Sequence, residues 1–204
     1  MKVYFSRHGE SLANTLHVIS NRNIPYPLTK KGRNQSKMLA SSLMGKGITH
    51  IFSSPVLRAK ETAKIVSDKL DVSVETCDAL REYDCGELEG HSDEKAWKIH
   101  EEYIVDWLAG SRRAKSPPGG ESFNTILDRF VPFVEDLIRK FDSSDENLLL
   151  ISHGGMLLLG LPHVLTNVDF IRARSLSLDN TILILAETAE GKLVCKSWGD
   201  ILIP

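Results

Sequence analysis

Cysteine is scarce in this 204-residue chain: Cys77, Cys85 and Cys195 make an odd number without the paired spacing of a metal site. A disulfide framework and a thiolate metal centre are thereby excluded as organising principles, and a reducing, cytoplasmic setting is expected. No sign of charge dominates, since 25 basic residues face 27 acidic ones for a net charge of −2. That balance argues against a nucleic-acid coat or a polybasic membrane binder, so neither nucleic acid nor membrane is expected as a partner. The N-terminus shows no apolar run long enough for a signal peptide. One stretch, residues 147–168, has no acidic or basic residue and holds eight leucines. A helix crossing lipid needs about 20 mostly apolar residues, but Ser152, His153, Gly154, Gly155 and Pro162 interrupt this one. It reads better as a buried strand, a glycine turn and an apolar helix.

What is present describes an ordinary globular chain, 42% hydrophobic and 25% charged. Its length fits one domain, residues 1–204, able to bury about 70% of its unfolded surface without a disulfide or metal staple. Short apolar runs rich in β-branched and aromatic residues predict strands over 2–6, 48–54, 72–76, 148–152, 181–187 and 192–198. Helical stripes lie between them. One follows Ser54-Pro55, an expected N-cap and first-turn proline. Another runs from Phe123 to Phe141, with Pro132 expected to kink or split it. Weaker stripes cover 29–45 and 94–108. Alternating strands and helices imply an α/β three-layer sandwich, with a mainly parallel central sheet flanked by helices. The last two strands, joined by Glu190-Gly191, predict an antiparallel edge. The polar stretch 83–120, ending in SPPGG, reads as an insertion covering one end of the sheet.

In open α/β sheets, ligands bind beyond the carboxyl ends of the strands. Three strand exits carry Arg7-His8-Gly9-Glu10-Ser11, then Ser54-Pro55 with Arg58 one turn on, and Ser152-His153-Gly154-Gly155. Two histidines and two arginines are thus expected at one sheet edge, with glycines permitting close backbone approach and helix N-termini adding free N–H donors. Such a set fits a tetrahedral dianion, most plausibly a phosphate ester. Taken singly, a histidine at a strand end is more often a hydrogen-bonded polar residue than a catalyst, and Arg58 an ordinary surface residue. Together they are costly to bury unless an anion compensates. A metal is not expected: HExxH and other close ligand spacings are lacking, and the arginines would repel a cation. Cys-x5-Arg, Asp-x-Asp and Gly-x4-Gly-Lys-Ser/Thr motifs are lacking too. A nucleophilic histidine remains.

RHGESLAN (7–14), PLTKKGRNQ (27–35), SSPVLRAKETA (53–63), LREYDCGELEG (80–90), PGGES (118–122) and SHGG (152–155) follow one another in an order that resembles the histidine phosphatase superfamily, which includes the cofactor-dependent phosphoglycerate mutases. The resemblance implies that His8 is the nucleophile and becomes a phosphohistidine. It implies that Arg7, Arg58 and His153 hold the phosphoryl oxygens, with a hydrogen bond from Asn14, and that Glu82 is the general acid and base. Ser11 and Gly154 are further candidate phosphate contacts. No metal or other cofactor is implied, except a bisphosphoglycerate primer if the chain is a mutase. Phosphoryl transfer depends chiefly on positioning and charge stabilisation, and arginine offers paired planar donors. Glu82 poses a tension, because the arginines favour its ionised form while it must donate a proton; a bound phosphate dianion is expected to lift its pKa. Glu89 is expected to stabilise its loop and Glu121 to cap the helix after Gly120.

The chain is shorter than such mutases between the acid motif and the second histidine, which favours a metal-independent phosphomonoesterase for a small phosphorylated metabolite. The alternative is a mutase-type phosphotransferase, and a third reading is a non-catalytic phosphate-ligand binding module. Arg112-Arg113 distantly resembles the mutases' substrate arginine pair and Asn21-Arg22 is another candidate contact; a solvated basic turn is an equal reading of the former. A monomer or a homodimer is expected.

Overall fold

The computed structural model describes residues 1–22, 26–142 and 144–204. In chain order the elements are β1 (Lys2–Arg7), α1 (Leu12–Thr15), α2 (Lys30–Leu43), β2 (Ile48–Ser53), α3 (Leu57–Leu70), β3 (Val74–Thr76), α4 (Glu94–Leu108), α5 (Phe123–Phe141), β4 (Asn147–Ser152), α6 (Gly154–Val164), α7 (Phe170–Ser175), β5 (Leu183–Ala189), β6 (Lys192–Trp198) and β7 (Ile201–Leu202). The sheet order is β3-β2-β4-β1-β5-β6-β7. The first four strands are parallel and the last three antiparallel.

The central strands are apolar without alternation because both of their faces are covered. Side chains of successive residues go to opposite faces. Val3, Phe5, Leu148 and Leu150 join a core with Ile126, Phe130 and Leu157 of α5 and α6. Tyr4, Leu149 and Ile151 pack instead with Leu39, Leu43, Ala59 and Val66 of α2 and α3. This is the expected three-layer α/β sandwich. The Glu190-Gly191 turn closes the antiparallel β5–β6 hairpin, and both residues adopt positive φ (52° and 74°), which suits the right-handed twist of the strands.

Local signals account for most helix starts. Thr29, Asp93, Ser122 and Asp169 each accept a backbone N–H three residues on, contributing about 1 kcal/mol apiece. Two expectations need correcting. α5 is one continuous helix through the exposed Pro132, so the expected split does not occur. α3 begins at Leu57, not after Ser54, whose Oγ instead accepts the Val56 N–H at 3.2 Å. No helix of the described residues is long and apolar enough to cross a membrane, and 147–168 forms β4 and α6.

Strand register positions the site. In the β1–β4 pair Arg7 lies opposite Ser152, and in the β2–β4 pair Ser53 lies opposite Ile151. The ladders continue one step further, His8 N–H donating to Ser152 O and Ser54 N–H to Ile151 O, both at 3.0 Å. Three strand ends are therefore level, and the residues that follow them meet.

Candidate active site

His8, at the end of β1, is 2% exposed. Its Nδ1 lies 2.7 Å from Gly9 O, an atom that only accepts, so Nδ1 carries the proton. Nε2 receives a hydrogen bond from Arg58 Nε at 2.9 Å, so it carries a lone pair. The ring is thereby fixed in one neutral tautomer. Burial drives its pKa well below 6.5, and the Arg58 and Arg7 guanidiniums lower it further.

Arg58 is brought in by the first turn of α3 and is 4% exposed. Burial lowers its pKa to about 10, which still leaves it charged at neutral pH. Arg7 donates through Nη1 to Leu178 O at 2.7 Å. His153, fully buried between β4 and α6, has its ring centroid 5.0 Å from that of His8. Its Nε2 pairs with Ser54 Oγ at 2.7 Å. Burial, with Arg58 next in effect, drives its pKa well below 6.5. Three nitrogens around this cluster, Arg7 Nε, Arg58 Nη1 and His153 Nδ1, are buried without a hydrogen-bond partner. Unsatisfied buried polar atoms are costly and rare in folded proteins. All three belong to residues grouped around the His8 ring, which Arg58 bonds and His153 approaches to 5.0 Å.

The loop before β5 supports this arrangement. Asn180 Nδ2 donates to His8 O and Thr181 N–H to Arg7 O, each at 3.0 Å. Thr181 has φ of 62°, a left-handed conformation uncommon for a β-branched residue, held in place by the contact with β1.

Glu82 lies in the cavity wall, 8% exposed. It accepts N–H bonds from Gly155 (3.0 Å), Met156 (2.7 Å) and Tyr83 (3.2 Å). Burial raises its pKa, opposed first by Arg58 and then by those N–H groups. Desolvation thus outweighs the opposing Arg58 charge. The contact demands glycine at 155, since a Cβ there would sit 2.5 Å from Tyr83 Cε1 and 2.8 Å from Glu82 Oε1.

The free helix N-termini expected at the strand exits are largely taken. Glu82 caps α6, Gly9 N–H donates to Thr62 Oγ1, and Ser11 N–H donates to Asn14 Oδ1.

Of the remaining candidates, Asn14 and Gly154 line the cavity. Ser11 does not: fully buried, it donates through Oγ to Asn14 Oδ1 and caps α1. Asn21 lines the wall, but its Nδ2 is engaged with Cys85 Sγ and its N–H with Glu89. Glu89 therefore ties the 83–91 loop to the segment after α1, as expected of a loop-stabilising residue. Arg22 is bound to Asp84 and Gly119 O, outside the cavity wall. Arg112 pairs with Asp106 at 3.0 Å on the outer side of α4, and Arg113 stacks over Phe123 at 5.1 Å. Neither reaches the cavity, because the turn after α4 carries both away from it. Glu121 is not the helix cap, a role Ser122 takes. It joins Arg81, Arg129 and the Asp84 N–H.

A sequence profile described as histidine phosphatase superfamily (branch 1) matches residues 3–201. The chain belongs to this superfamily. Among its histidine phosphatase relatives is "Probable phosphoglycerate mutase GpmB" of Yersinia pestis, 30% identical over 97% of this chain and 90% of that protein. Solved structures share the fold. The alpha-ribazole phosphatase of Shigella flexneri superposes with TM-score 0.81 at 22% identity, over 100% of this chain and 98% of that one. A mycobacterial glucosyl-3-phosphoglycerate phosphatase gives 0.80 at 21%, over 97% and 98%.

Ser54 and the Leu178–Thr181 segment were not singled out as site residues from the sequence. Ser54 read as a helix cap, and nothing in the local pattern of 178–181 signals contact with a strand 170 positions earlier in the chain.

Proposed function

We propose that this superfamily member is a phosphomonoesterase that works through a phosphohistidine on His8 and requires no metal. The observation that supports it most is the bond from Arg58 Nε to the lone pair of His8 Nε2, with Arg7 lining the same cavity and the His153 ring 5.0 Å from that of His8. Arginines and a neutral imidazole suit the equatorial oxygens of a phosphoryl group in transit. Nε2 attacks phosphorus, an N–P bond forms, and the P–O bond to the alcohol breaks. Glu82, whose pKa burial raises, gives its proton to the departing oxygen. Water then attacks the phosphohistidine, Glu82 takes the water's proton, and the N–P bond breaks to release inorganic phosphate and neutral His8.

The name of the 30%-identical relative favours a mutase as the second reading. That reading predicts phosphoglycerate isomerisation dependent on a bisphosphate primer. Hydrolysis of a phosphomonoester panel in excess chelator, with His8→Ala as control, tests the proposal. Persistence in chelator and loss in His8→Ala are expected; loss in chelator restored by a divalent ion, or a covalent phosphate mapping elsewhere, overturns it.

A further inference from the structure

The cavity beside His8 has a volume of about 580 Å³, far more than a phosphoryl group fills. Beyond the phosphate-end residues its lining is mostly apolar, with Val18, Ile19, Trp97, Ile104 and Leu158 beside the polar Asn14, His17, Ser20 and Asn21. Tyr83 and His100 complete this lining, their side chains hydrogen-bonded and their rings stacked at 5.6 Å. Burial lowers the pKa of His100 to about 4 and raises that of Tyr83 well above 10, so both are neutral near pH 7. Trp97 is braced on two sides, its Nε1 donating to His17 O at 2.7 Å and its ring edge-on to His100 at 5.0 Å. The remaining charged residue of the outer wall is Glu101, on the same helix. Among the described residues the only lysines or arginines lining the cavity are Arg7 and Arg58, both at the phosphate end.

Resting on the reading of this cavity as a phosphoester site, we propose that the Trp97–His100–Tyr83 wall selects phosphomonoesters of an apolar or aromatic alcohol and rejects those that carry a second anion. A planar apolar group entering beyond the phosphate finds aromatic faces and aliphatic side chains. A carboxylate or second phosphate there loses its water, meets no lysine or arginine, and faces Glu101. Arg22, Arg112 and Arg113, the cations that would otherwise serve it, are held outside.

Phosphonates, which bind without turning over, separate this preference from catalysis. Calorimetry at pH 8 should show benzylphosphonate binding at least tenfold tighter than 2-carboxyethylphosphonate. Trp97→Ala should cut that ratio about tenfold, and Trp97→Phe should restore most of it. Glu101→Lys should shift the ratio toward the carboxylated ligand. Equal or tighter binding of 2-carboxyethylphosphonate by the wild-type protein overturns the inference, even if every ester is hydrolysed. So does a ratio that Trp97→Ala leaves within twofold. Tight benzylphosphonate binding without hydrolysis of any ester supports the inference while sinking the phosphatase reading.

Discussion

Arg58 Nε donates to His8 Nε2 at 2.9 Å, so the cation that would grip a phosphoryl oxygen is already bonded to the lone pair that would attack phosphorus. An incoming ester must take over that bond, which ties the release of the nucleophile to the arrival of its target. Arg58→Ala should lower kcat/KM about 10²- to 10³-fold, the usual loss for a donor to developing charge. It should also raise the His8 pKa, because a neighbouring positive charge that lowers it is gone. The acid limb of the kcat/KM profile, corrected for substrate ionisation, should then move to higher pH. Arg58→Lys should restore the limb but not the rate. An unmoved limb in Arg58→Ala would show that His8 does not sense this guanidinium.

Glu82→Gln keeps the shape of the side chain and removes the proton. On alkyl phosphates, kcat/KM should fall at least about 10²-fold, within the range of general acid catalysis. On p-nitrophenyl phosphate, whose leaving group needs no proton, the fall should be under about tenfold. Equal losses on both would remove Glu82 from the acid role.

Gly155→Ala would push a methyl into Tyr83 Cε1 and Glu82 Oε1. Overpacking of this kind costs about 1–3 kcal/mol, measurable as a lower urea midpoint at constant m-value. Because one of the two displaced atoms belongs to Glu82, the residual activity should show the same alkyl-over-aryl deficit as Glu82→Gln. A variant with full activity on alkyl phosphates would contradict the contact.

Stability should fall steeply on mild acidification. His8 and His153 hold pKa values well below 6.5 and His100 about 4, so below pH 6.5 the unfolded chain takes up protons that the folded one refuses. His163 is lowered as well, so four groups contribute to the loss as the pH falls below 6.5. Glu82 acts in the opposite sense, since its raised pKa makes the folded state the better proton acceptor, and it offsets part of this loss. Urea unfolding at pH 7, 6 and 5 reads the trend. A flat profile would mean that the histidines are charged in the fold.

Much of the site was legible because strand exits and glycines announce themselves: His8 and His153 each follow an apolar strand, and parallel pairing leaves their ends level. Arg58 was legible from its place one turn past a strand. What escaped was set by tertiary contact. Ser54 looks like a helix cap by sequence, yet its hydroxyl turns to His153. Arg112 and Arg113 look like substrate cations, yet their turn leads them to Asp106 and Phe123. Pro132 looks like a break, yet α5 runs on through it. His100 lies in an amphipathic helix whose sequence does not say which face meets the cavity.

The bond from His8 Nδ1–H to Gly9 O has a stereochemical consequence. It keeps the imidazole from turning, so a phosphoryl group on Nε2 presents one open side to the cavity. If phosphoryl transfer runs through His8 as proposed, the alcohol would depart along that line and water enter along it, each displacement inverting the phosphorus centre. A phosphorothioate ester made chiral with 16O and 18O and hydrolysed in 17O-enriched water should therefore yield inorganic thiophosphate of retained configuration.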